Sequence, residues 1–462
     1  MRKLLVAAGL AGLLALFAVV PVGFAGKAGP STLNFDWLDA AAGFGLAIVS
    51  VAAVLLVVVA HPRHLPCSTK NEKEEIMRML GLSLIVAMAL SVGVGSASGQ
   101  ASGPQPSCGD TITVSTKLAR DLVNCPNNGV VIGADNITLD LNGHVIDGDD
   151  AEFADCPPDE ACDIGVLDFD HHGVTIKGGK VRQFTFGALL VGASDSRLSG
   201  LDLSHHFFSG LLLAESSHSV VDGITATGNG LTTDQAGVDI FDSDHLTLAG
   251  NTVFANGDIG FFVSGLDDGR FVGNRIADHP ETGILLDHGN RNEFSHNRLS
   301  NDQDGIVVSG DRNTVVGNWL SGPSECPEEC GFGISLEGGT GNVIERNTVL
   351  GFDQAGIHAA AFEEFGGPPT VGNTISGNLV RGATVDGLRV EFTATDTLLE
   401  RNVAIGAGDD GIDVDNAATT LTGNLAFRNG DLGIEAVAGV SDGGGNHAAA
   451  NGNPAQCTNV VC

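Results

Sequence analysis

Two pairs of ionisable residues near the C-terminus stand at a spacing that suits chemistry. Arg389 and Glu391 follow Gly387 by two and four positions, and Asp413 and Asp415 follow Gly411 in the same way. On adjacent strands of one sheet, residues two apart share a face, so Arg389 would stand beside Asp413 and Glu391 over Asp415. Carboxylates about 5 Å apart across neighbouring strands cannot both ionise cheaply, so such a pair demands a raised pKa or a bound calcium. Calcium on a substrate carboxylate and an arginine taking the proton α to it would make a lyase. Asp413 with Asp415, or with Asp410, would instead supply the acid and base of a hydrolase. The same column brings in His358. The candidate set is therefore Arg389, Asp413 and His358 for catalysis, Glu337 and Trp319 for substrate contact, and Glu391 and Asp415 for calcium. The competing reading is an exposed salt-bridge ladder that only solvates the face. Asp410 shares its position before the glycine with Asp304 and Asp386 and reads first as a turn residue.

These residues are positioned by a repeat. A glycine followed by a short apolar strand returns at Gly187, Gly210, Gly237, Gly260, Gly283, Gly305, Gly333, Gly356, Gly387, Gly411 and Gly433, at intervals of 22 to 31 residues. A sustained period of this size marks a solenoid. Segments such as Gly283-Ile-Leu-Leu-Asp and Gly411-Ile-Asp-Val-Asp alternate with period two, as strands do. A second column, from Asn251 and Asn274 to Asn402 and Asn424, predicts stacked turn asparagines that share amide hydrogen bonds along the axis. The reading is all-β: a single right-handed parallel β-helix of about 12 coils of 22–24 residues, with longer intervals absorbed by loops. The outward positions are apolar in the N-terminal half, which predicts that something covers that face.

The segment Cys108-Gly-Asp-Thr-Ile-Thr-Val, the segment Asp121-Leu-Val-Asn-Cys125 and the run from Ile132 to Gly148 resemble the start of secreted right-handed parallel β-helix repeat proteins. The Gly-Asn and Asp-Gly-Ile repeats resemble the same broad group, which includes NosD-like periplasmic proteins and pectate-lyase-like lyases, hydrolases and epimerases. The resemblance spans roughly residues 108–440 and is specific for fold, because such folds host many activities. Asp409-Asp-Gly411 is similar to the paired aspartates of polygalacturonase-like hydrolases, although the Gly-His-Gly and Arg-Ile-Lys segments that accompany them there are missing.

Composition narrows the partners. From residue 102 onward 16 Lys and Arg face 51 Asp and Glu, a formal charge of −35, which repels nucleic acid and anionic membranes. The chain has no tyrosine, which argues against a tyrosine acid and against a cleft of aromatic platforms. Three readings of function follow: an exported or surface-attached binding or structural module toward extracellular polysaccharide or cell envelope, a polysaccharide lyase or glycoside hydrolase with calcium as the candidate cofactor, and a NosD-like accessory protein for an exported metalloenzyme.

The organisation divides as residues 1–76, with two apolar stretches (4–25 and 44–60) of about membrane-spanning length; 77–101, a signal peptide or third membrane segment; 102–440, the β-helix; and 441–462, a terminal cap. The stretch after Met77-Arg-Met79 is short and ends in small residues, as signal peptides do. Translation from Met77 or Met79 would also remove Cys67 and leave an even set of cysteines: Cys108, Cys125, Cys156, Cys162, Cys326, Cys330, Cys457 and Cys462. Four local disulfides, pairing these in order, are the expectation. Peptide mapping of the mature protein tests the start: peptides before Ala97 should be missing, and recovery of residues 27–42 would establish the longer, membrane-tethered form.

Overall fold

The computed structural model describes residues 103–151, 162–230, 235–323, 331–361 and 369–462. The hydrophobic N-terminal stretches, both candidate start methionines, Cys67, Cys156, Cys326 and Cys330 lie outside the described residues. Among the described residues, no helix is long and apolar enough to cross a membrane.

Among the described residues, period-two alternation becomes three long ladders of short parallel strands wound into one solenoid, with a short fourth ladder of Gly339–Thr340, Thr370–Val371 and Ala394–Thr395. Sheet 1 has 14 strands, from Asp110–Ile112 to Ile434–Ala436. The glycine column marks its last eleven strands; three earlier strands, Asp110–Ile112, Val130–Ile132 and Ile164–Phe169, precede Gly187 and raise the expected twelve coils to about fourteen. Sheets 2 and 3 are ladders of three-residue strands, such as Arg270–Val272 and Arg275–Ala277 in one coil. In two early coils the strands Thr175–Arg182 and Arg197–Ser204 run through both sheets, bending at Gly178 and Gly200, whose φ values of 66° and 58° lie in the left-handed region.

The column glycines are required by close approach rather than by an unusual φ. A Cβ on Gly305 would stand 2.3 Å from the carbonyl oxygen of Gly333 in the next coil, and a Cβ on Gly333 2.5 Å from that of Gly356. Most column glycines seat the next one in this way, and the same contact runs back to Gly129 and Gly165. Inside the tube, one continuous apolar core is built from inward positions such as Leu190, Leu213, Ile240, Val263, Leu286 and Val308.

The asparagine column forms the expected ladder. The Asn274 backbone N–H and side-chain Nδ2 donate to Asn297 Oδ1 at 2.9 and 3.0 Å, while Asn297 Nδ2 reaches both Phe271 O (2.8 Å) and Asn318 Oδ1 (3.0 Å). The pattern repeats from Asn251 through Asn347, Asn378, Asn402 and Asn424 to Asn446. A second ladder, Asn292 to Asn313, Asn342 and Asn373, serves another corner. Buried amides satisfied in this way saturate the corner backbone where no ladder bond can.

Disulfides Cys108–Cys125 and Cys457–Cys462 close the two ends as expected. Cys162 is also disulfide-bonded. Residues Leu167, Leu189 and Leu212 point outward from sheet 1 yet are 4, 6 and 9% exposed, in a second apolar cluster with Ile164 and Phe186, while Val191, Ala214 and Phe241 beside them stay half-buried.

Replacing Asn297 by Ala strips acceptors from two buried donors and should cost about 2–3 kcal/mol in denaturant unfolding. Gly305→Ala should cost about 3 kcal/mol, because backbone on the neighbouring coil leaves no room for the methyl group.

Candidate functional site

The register of sheet 1 sets the site. Cα partners run Val307, Ser335, His358, Arg389, Asp413, Glu435 from coil to coil, which is the outward column read from the glycine spacing. Between them, the +1 and +3 residues, such as Leu388 and Val390, are fully buried.

Arg389 is the hub. Its Nε lies 2.8 Å from Glu391 Oε1 and 4.0 Å from Asp413 Oδ2, and its Nη1 lies 3.9 Å from Asp386 Oδ2. His358 is buried, with Nε2 3.7 Å from Glu391 Oε1 and Nδ1 3.2 Å from Ser335 Oγ. Phe332 stacks on the imidazole, ring centroids 4.0 Å apart. Ser335 Oγ in turn lies 3.4 Å from Glu337 Oε1. The structure thus unites Arg389, Asp413, His358, Glu391 and Glu337 in one connected patch. Trp319 is elsewhere: its strand Trp319–Ser321 belongs to sheet 3, so it cannot share a face with Arg389. Its position one residue after the ladder residue Asn318 already marks that different slot in the repeat.

Sequence reasoning left Ser335 and Phe332 out of the site and gave Asp386 and Asp410 a turn role. The two aspartates connect coils: Asp386 Oδ1 accepts from the Asp410 N–H (3.2 Å), and Asp410 Oδ1 from the Leu432 N–H (2.7 Å). They also meet the site, because Asp386 reaches Arg389. Ligand oxygens of Asp386, Asp409 and Asp410 lie within 4.8 Å of one another, the tightest carboxylate group among the described residues that a cation could bridge.

Desolvation dominates the electrostatics. Burial pushes Asp413 up to about 7, with Asp415 and Asp386 adding repulsion and Arg389 opposing it. Burial likewise raises Asp386 to about 6, and burial with the hydrogen bond to Glu435 raises Asp410 to about 8. Glu337 is pushed up to about 7 by burial and by Asp304. In contrast His358 and Arg389 hold Glu391 below the usual carboxylate range, while burial lowers His358 and favours its neutral form. The patch therefore offers protonated carboxyls as donors next to an ionised one, the condition for acid–base work and for binding sugar hydroxyls.

Asp386, Asp410, Asp413 and Glu337 bind protons more tightly in the folded chain than in the unfolded one. The stability they add is complete below about pH 4 and is lost as pH rises through 6 to 8. Asp413→Asn and Asp410→Asn should each raise the melting temperature at pH 8 by about 2–4 °C and change it little at pH 4; equal shifts at both pH values would contradict these protonation states.

A family model described as "Right handed beta helix region" matches residues 164–320, and one described as "Protein of unknown function (DUF1565)" matches residues 265–460. No curated protein matches the chain. Among solved structures, a point mutant of the periplasmic alginate epimerase AlgG is similar at 14% identity and a TM-score of 0.51, over 63% of this chain and 75% of that one. The mannuronan C-5 epimerase AlgE4 A-module of Azotobacter vinelandii is similar at 14% identity and 0.43, over 67% and 80%. The catalytic domain of a GH87 alpha-1,3-glucanase is similar at 12% and 0.40, over 77% and 62%. At these identities the likeness concerns fold alone. Parallel ladders closed into one tube, a glycine column at coil spacing and the two family-model matches together make the chain a right-handed parallel β-helix repeat protein.

Proposed function

We propose that this protein is an extracellular or surface-attached module that binds polysaccharide along the C-terminal half of sheet 1, at the patch centred on Arg389. The supporting observation is the collection on one accessible face of a guanidinium, an ionised carboxylate and several carboxyls that remain protonated near neutral pH. Sugar hydroxyls both donate and accept, so a surface presenting both kinds of partner suits them. A solved structure similar in fold is named a periplasmic alginate epimerase, which agrees with a saccharide ligand. Disulfides at both ends of the solenoid suit an oxidising compartment.

A second reading, cleavage of the bound polymer, is favoured by the proton affinities. Asp410, raised to about 8 beside Glu435, can donate a proton at neutral pH, and Asp386, whose Oδ1 accepts from the Asp410 N–H, stands beside it. The lyase form of this reading would place calcium among Glu391 and Asp415, or among Asp386, Asp409 and Asp410. Arg389, ringed by three carboxylates, would serve as a cation toward a substrate carboxylate.

The full chain incubated with neutral and uronic polysaccharides, with and without calcium, separates these readings. Saturable binding with unchanged polymer mass is the expected result, weakened about tenfold by Arg389→Ala with little change in melting temperature. Shortening with unsaturated ends would show a lyase, and shortening without them a hydrolase. Equal loss of binding and of folding in Arg389→Ala would reduce the patch to a structural ladder.

A further inference from the structure

Sheet 3 carries a cationic strip whose arginines pair with no carboxylate among the described residues. Its outward positions in successive coils are Thr252 and Phe254, Arg275 and Ala277, Arg298 and Ser300, then Trp319 and Ser321. No carboxylate stands among these eight residues, in a chain with 56 Asp and Glu. Elsewhere on the solenoid, cations meet acids on adjoining coils: Lys180 with Asp202, Arg182 with Asp147, Arg197 with Asp222, Arg270 with Glu293 and Arg291 with Asp268. Arg275 and Arg298 make no such pair among the described residues. They are direct Cα partners, about 4.8 Å apart at strand spacing, and like charges so placed oppose folding.

Around the strip, the nearest acid along the strand is Asp278, in the turn after Ala277, where its Oδ1 is bonded by Asn301 Nδ2 (2.7 Å). His296 occupies the turn before Asn297 and Arg298, with φ 55°. The Arg298 guanidinium lies over the Trp319 ring, 4.1 Å from its centroid. A guanidinium stacked on an indole is held flat and keeps its in-plane N–H donors for another partner. That fork and the Arg275 guanidinium on the preceding coil suit the oxygens of one sulfate or carboxylate group. The indole and the hydroxyls of Ser300 and Ser321 extend the same face with groups that suit a sugar ring.

We infer that Arg275, Arg298 and Trp319 form a binding site for an acidic saccharide, one bearing a sulfate or a uronate carboxylate, on a different sheet from the Arg389 patch. The net charge of −33 disfavours long polyanions such as nucleic acid at this site, while the local forks accept a single oxyanion. The inference does not depend on the function proposed for sheet 1, since the two sites share no residue.

Trp319 is one of two tryptophans in the chain, so Trp37→Phe makes its fluorescence a direct reporter in the full-length protein. Three probes are titrated to about 10 mM: a galacturonate trimer, a sulfated galactose disaccharide and neutral cellotriose. At least one acidic probe should change the emission saturably, and cellotriose should not; which acidic probe responds tells carboxylate from sulfate. Arg275→Gln and Arg298→Gln should each raise the Kd about tenfold with an equal or higher melting temperature, because like-charge repulsion is relieved. The inference is overturned if no probe binds, if cellotriose binds as well as the acidic probes, if neither arginine variant weakens binding, or if both variants lower the melting temperature.

Discussion

The position of every outward side chain in this protein depends on the coil-to-coil spacing, and that spacing is fixed where backbone meets backbone at the glycine column. With the carbonyl of Gly333 only 2.3 Å from where a Gly305 Cβ would be, the coils sit closer than any side chain there would permit. Parallel ladders and buried asparagines then close around this contact. Asn297 illustrates the economy of the arrangement: its Oδ1 receives two donors from the coil before, and its Nδ2 serves one acceptor on each side. Because the buried corner amides bond mainly to their own kind, the coil can repeat with most of its corner polar groups paired, Asn342 Nδ2 being an exception.

A regular lattice of this sort turns sequence variation at outward positions into surface chemistry. In the N-terminal half the outward column holds Leu167, Leu189 and Leu212, which are buried in an apolar cluster. Further along, the same column holds His358, Arg389 and Asp413, and partial burial acts on charge rather than on apolar area. Desolvation raises Asp413, Asp410 and Glu337 together, while Arg389 satisfies Glu391 at short range. One guanidinium cannot neutralise all the acids around it, so several retain protons instead. On sheet 3 the imbalance is reversed, with Arg275 beside Arg298 and no acid in the strip.

Much of this was legible in the chain. The column through Ser335, His358, Arg389 and Asp413 matches the Cα register, since in a solenoid a fixed interval in sequence is a fixed step in space. The number of coils was not fully legible, because the three strands before Gly187 belong to intervals of uneven length. Asp386 and Asp410 were legible only as turn residues; their reach toward Arg389 and Leu432 depends on side-chain direction, which spacing does not give. Trp319 was grouped with the Arg389 patch on residue type, although its place beside Asn318 assigns it to another sheet.

The sequence by itself determined the all-β solenoid, the in-register columns and the apolar-to-ionisable change along sheet 1. Glycine, asparagine and alternating apolar residues each act within one coil or between neighbours, where local pattern is the whole of the constraint. Tertiary structure alone decided which acids are desolvated, which of them Arg389 pairs with, and that Arg298 lies on Trp319 rather than against a carboxylate. Those outcomes depend on burial and on distances of a few ångströms between flexible side chains from different coils, quantities that no spacing along the chain encodes.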